Sequence, residues 1–86
     1  MKENPKAKEA IMAGIRDQLH SPESPYVREA FDRLIKENHS EEDVMKMLGA
    51  VLATEMWEMS VQERTFDEAQ YIGRLKRLPD MSWLDE

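Results

Sequence analysis

Few side chains in this sequence could do chemistry, and most of them lie between Ser40 and Arg77. Glu55-Met56-Trp57-Glu58 places two carboxylates one helical turn apart, so both can share a face. Bundles that hold paired metals build them from inward glutamates together with Glu-x-x-His pairs. No Glu-x-x-His occurs in the chain. A carboxylate metal-binding or small-ligand bundle centred on Glu55 is therefore an alternative reading and not the leading one. His20 and His39 fall among polar neighbours at the ends of apolar-periodic runs, a poor setting for a Ser/His/Asp arrangement. No glycine loop with an adjoining strand is present to cradle a phosphate. Arg74, Lys76 and Arg77 offer a second alternative, a helical nucleic-acid-binding domain. The net charge of −6 argues against nucleic acid, because phosphate neutralisation supplies much of such affinity. No catalytic residue, metal ligand or cofactor is assigned.

Glu55 raises a question of burial. At about 100° per residue, Val44, Met45, Met47, Leu48, Val51, Leu52, Met56 and Met59 form one broad apolar arc. Glu55 falls near its middle. A buried carboxylate is costly unless it is paired or protonated. The expected arrangement is a pairing with an arginine (Arg28, Arg33 or Arg74) or with a backbone donor. The functional alternative is a proton-accepting or ligand-contacting group with a raised pKa.

On the other side of the same segment, Lys46, Ala50, Ala53 and Trp57 follow i, i+4, i+7, i+11 spacing. Two small residues and a large aromatic make a surface that another helix can approach closely. That helix is either the first helix of this chain or one from a partner, since tryptophan is enriched at interface hot spots. The methionines at 45, 47, 56 and 59 suit an adaptable binding groove, although core packing is their plainer use. Trp83 and Leu84, in the acidic tail 80–86, either fold back on the core or form a short linear motif. The candidate interaction surface is thus Ala50, Ala53, Trp57, Trp83 and Leu84.

These residues need elements to position them. Eighty-six residues suit one domain, and 41% hydrophobic with 35% charged residues is a globular composition. There is no cysteine, which excludes disulfides and fits a reducing, cytoplasmic setting. No apolar stretch follows Met1 to Lys6, so no secretory signal is expected; no run approaches the roughly 20 residues of a membrane span. Charge is uneven along the chain. Ser40 to Glu63 is acidic apart from Lys46, and Arg64 to Pro79 is largely basic, so the two stretches should attract each other.

Periodicity and punctuation predict four helices, near 5–20, 22–38, 41–60 and 66–78. Asn4-Pro5 has the form of an N-cap with proline at the first helical position, followed by Ala7, Ile11, Ile15 and Leu19. Ser21 or Ser24 caps the second helix, whose face is Val27, Ala30, Phe31, Leu34 and Ile35. Asn38 stops it. Ser40 to Asp43 and Thr65 to Glu68 read as capping boxes, and Pro79 ends the fourth helix. Gly14, Gly49 and Gly73 lie inside helices, where close helix–helix approach is the expected reason. Phe31, Leu34, Leu48, Leu52 and Leu75 should be core. The fold class is all-α, a four-helix bundle or orthogonal array in a single domain 1–79 with the tail 80–86.

The stretch from Pro25 to Pro79 resembles a group of small, uncharacterised bacterial all-helical proteins. The residues that carry the likeness are Pro25-Tyr26-Val27-Arg28-Glu29, Leu34, and His39-Ser40-Glu41-Glu42-Asp43. Gly49 to Glu55, Phe66-Asp67-Glu68-Ala69, Tyr71 and Leu78-Pro79 continue it. Asn38 stands where those relatives usually have glycine. The resemblance implies a helical fold and carries no activity. The leading expectation is a non-enzymatic module that self-associates, as a homodimer, or binds another protein.

Overall fold

The computed structural model describes residues 5–85. Four helices form in chain order: α1 Pro5–Leu19, α2 Pro25–Lys36, α3 Glu41–Val61 and α4 Glu68–Arg77. A 3-10 turn, Ser82–Asp85, closes the described chain. Among the described residues there is no strand. The Asn4 cap lies outside them.

Local chemistry explains each boundary. Pro25 opens α2 with Ser24 at the cap position, but the Ser24 side chain makes no cap bond. Ser21 Oγ instead accepts from the Glu23 N–H within the preceding turn. Asn38 takes a left-handed conformation, φ 73°. The Asn38 and His39 N–H groups then reach back to the carbonyls of Ile35 and Leu34, which satisfies two of the free carbonyls at the end of α2. Ser40 caps α3 by accepting from the Asp43 N–H. Helix α4 begins at Glu68, later than the Thr65 box suggests. Its cap is Asp67, whose side chain accepts from the Gln70 N–H.

Helices α2 and α3 pack on each other and on both flanking helices, α1 and α4. Their shared interior is Ile15, Val27, Ala30, Leu34, Val44, Leu48, Val51, Leu52, Tyr71, Leu75 and Leu78, joined by Trp83 from the tail. Four of the five expected core positions are there. Phe31 is the exception: it is partly buried and its ring lies under the Arg28 guanidinium, 5.4 Å away. Met56, expected on the apolar arc of α3, is exposed.

Close approach accounts for two of the three helical glycines. A Cβ at Gly49 would stand 2.6 Å from Met12 Cε and one at Gly14 would stand 3.1 Å from Leu52 Cδ2. Gly73 is different: nothing lies within 4 Å of such a Cβ. Its place inside α4 therefore costs helix propensity with no packing return. Gly73→Ala should raise the unfolding free energy by about 0.4–1 kcal/mol, read from a denaturant titration; a loss of stability would show that α4 is crowded at that face.

Candidate functional site

Two regions of α3 carry the residues singled out above. The first is the carboxylate pair. Glu55 is fully buried at the junction of α3, α4 and the loop between them. Its Oε2 accepts from Arg64 Nη1 at 2.7 Å and from the Asp67 N–H at 2.9 Å. Its Oε1 accepts from Arg64 Nη2 and Gln70 Nε2, both at 3.2 Å. Glu58 is held just as fully. Arg74 donates to both its oxygens at 2.8 and 3.0 Å, Gln70 at 2.8 Å and Arg64 at 3.2 Å.

The geometry comes from the end of α3. Glu63 adopts a left-handed conformation, φ 49°, so the chain reverses and the Arg64 N–H bonds to the Met59 carbonyl. This helix-ending turn aims the Arg64 guanidinium back along α3 at Glu55. Arg64 also donates to the Thr65 carbonyl and to Gln62, so its fork is held on several sides. The expected pairing with an arginine and a backbone donor forms, through Arg64 and the Asp67 N–H, but the arginine is none of Arg28, Arg33 and Arg74. Arg28 pairs with Asp32, Arg33 with Glu37 and the Leu75 carbonyl, and Arg74 with Glu58. The attraction between the acidic and basic stretches of the chain does form, through Arg64 and Arg74.

The electrostatics follow. Burial pushes the Glu55 carboxyl up, but the hydrogen bonds from Arg64, the Asp67 backbone and Gln70 outweigh it and hold its pKa below the ordinary value. The Arg74 hydrogen bond holds Glu58 low against a smaller burial effect. The raised pKa of the proton-accepting alternative is thus reversed: these groups stay ionised. Each carboxylate oxygen already accepts at least one N–H donor. Among the described residues no three His, Cys, Asp or Glu side chains converge as metal ligands.

Of the basic trio, Arg74 is committed to Glu58 and also lies 5.2 Å over the Trp83 ring. Arg77 bonds Asp80 and Ser82. Lys76 is exposed. They do not form a common basic face of unpaired cations. His20 is exposed and His39 half-buried; the two belong to different turns.

The second region is the outward stripe. Helix α1 packs beside it and not on it, with Met12 and Ile11 against Gly49. Ala50 is half-buried, Ala53 exposed, and Trp57 is 64% exposed. A recess of about 510 Å³ lies between α1 and this stripe, lined by Lys8, Met12, Lys46, Gly49, Ala50 and Ala53 among others. A second, of about 700 Å³, adjoins it at Ala7 and Ala53 and is bordered by Trp57, Arg74, Trp83 and Leu84. The tail folds back and the two residues paired in the sequence separate. Trp83 is 2% exposed, its Nε1 donating to the Asp80 carbonyl, and Leu84 is 48% exposed. Ala50, Ala53, Trp57 and Leu84 therefore border one continuous surface, and Trp83 forms its floor from inside.

The fold and these two regions define a small helical domain clamped by an ion-paired carboxylate pair and carrying an apolar outer face. The chain belongs to the family described as a domain of unknown function, DUF1841, whose model matches residues 2–77. The match takes in α1, which the resemblance from Pro25 to Pro79 did not reach. Comparison with curated proteins and with solved structures finds no match. Among the described residues no helix is long and apolar enough to cross a membrane.

Proposed function

We propose that this chain is a non-enzymatic helical module that acts by binding protein, with a second copy of itself as the partner. The observation that carries the reading is Trp57, 64% exposed beside Ala53 and bordering the same recess as Leu84. Exposed Met56 and Val61 extend the apolar patch along α3. Patches of this kind mark interfaces, and a two-fold pairing buries the same patch twice. The carboxylate pair is engaged within the fold, each of its oxygens accepting from Arg64, Arg74, Gln70 or the Asp67 backbone. A cytoplasmic setting fits the cysteine-free composition, and a bacterial source fits the resemblance carried by Pro25 to Pro79.

Sedimentation tests the reading directly. The wild type should run as a dimer at about 100 µM, an ordinary range for weak association. Trp57→Glu should run as a monomer with its helical content unchanged, because the ring makes little contribution to the core. A monomeric wild type at that concentration would refute self-association.

A further inference from the structure

The outer face of α3 is complementary to itself when reversed. Along Lys46, Ala50, Ala53 and Trp57 the spacing reads four, three, four in either direction, so a helix laid antiparallel on this line meets Ala53 with Ala50 and Trp57 with Lys46. The chemistry at the two ends is opposite in kind. At one end Lys46 borders a recess whose lining includes Gly49 and Ala50. At the other a large, exposed aromatic ring protrudes from the same helix, bordering the same recess as Leu84. An ammonium over an indole face is attractive, more so when water is excluded. Lys46 is free to move there, because its present bond is a surface pair with Glu42 at 3.3 Å, both side chains well exposed, and such pairs are weak.

We propose that two copies pair antiparallel along α3, about a two-fold axis between Ala50 and Ala53, so that Trp57 of each copy enters the recess under Lys46 of the other. This inference rests on the self-association proposed above and adds its register. Reversal brings Lys46 of each copy against the Trp57 ring of its mate, at both ends of the interface. A parallel pairing would oppose Lys46 to Lys46 and Trp57 to Trp57, and would leave both recesses without a ring.

Cysteine cross-linking separates the arrangements, since the natural chain has no thiol. Positions 46 and 57 are about 16 Å apart along a helix, beyond the roughly 7 Å that a disulfide can span. Lys46→Cys and Trp57→Cys, mixed in equal amounts and mildly oxidised, should give a linked dimer containing one chain of each. That dimer keeps one Lys46–Trp57 contact and replaces the other with the disulfide. Either variant oxidised alone should give no more linked dimer than Asp32→Cys on α2, which sets the collisional background. Linkage of each variant to itself would mean a parallel pairing. A wild-type dimer with no linkage above background would mean a different face. Either result overturns the register and leaves self-association standing. A monomeric wild type at about 100 µM overturns both.

Discussion

Leu48→Ala will lower the unfolding free energy by about 2–5 kcal/mol, the range for a buried leucine whose cavity collapses only in part. Leu48 is fully buried on α3, the helix that touches α1, α2 and α4, so no single neighbour can move to fill the space. A domain of this size has little stability to spare. The measurement is a urea titration with the slope compared between the two proteins, since an altered slope would report a changed unfolded or native state. A loss below about 0.5 kcal/mol, within the scatter of surface substitutions, would mean that α3 packs by another face.

Arg64→Met will be the other severe change, and its effect will exceed that of removing both charges. The substitution leaves the buried Glu55 carboxylate without its bidentate partner, and an uncompensated buried charge is strongly destabilising. The thermal midpoint should fall by about 10 °C or more for a domain of this length. Adding Glu55→Leu to Arg64→Met should recover most of that loss, because replacing a buried pair with apolar residues is often close to neutral. If the double variant is no more stable than Arg64→Met, the cost lies in the loop and not in the stranded charge. Acid gives a second readout. Glu55 and Glu58 have native pKa values below the ordinary carboxylate value. Their contribution is therefore complete above about pH 4.3, the unfolded glutamate value, and is lost as the pH falls through the lower native values. The Glu55→Leu, Arg64→Met protein should lose less stability than the wild type over that descent.

Much of this architecture is legible in the sequence because its signals are local. Pro25, Ser40 and Asn38 each act on neighbours within one turn, and α2 and α3 start and stop close to where those residues place them. The start of α4 is less determined. Thr65 and Asp67 are both good caps, and the choice is fixed from a distance, by the bond from the Asp67 N–H to Glu55. Glu55 shows the same divide. Its burial follows from its phase on α3, but its partner does not, because Arg64 lies beyond the helix where periodicity has nothing to say. Only the left-handed turn at Glu63 returns Arg64 to the site, and glutamate is not the residue type that signals such a turn. The change of charge sign at Arg64 was the available clue. On the outer face, spacing alone could not tell whether α1 covers Trp57. Gly49 decides it, since the contact with Met12 seats α1 to one side of the stripe.

Arg74 has a consequence for where this domain ends. Its guanidinium grips Glu58 on one side and lies over the Trp83 ring on the other, so the aromatic cap and the carboxylate clamp share a single cation. The family match stops at residue 77, before Trp83 and before Leu78, which is also part of the interior. A fragment trimmed to the conventional boundary would keep the clamp but open the hydrophobic floor beneath the outer face. The packed interior among the described residues therefore reaches past the matched segment, as far as the indole of Trp83.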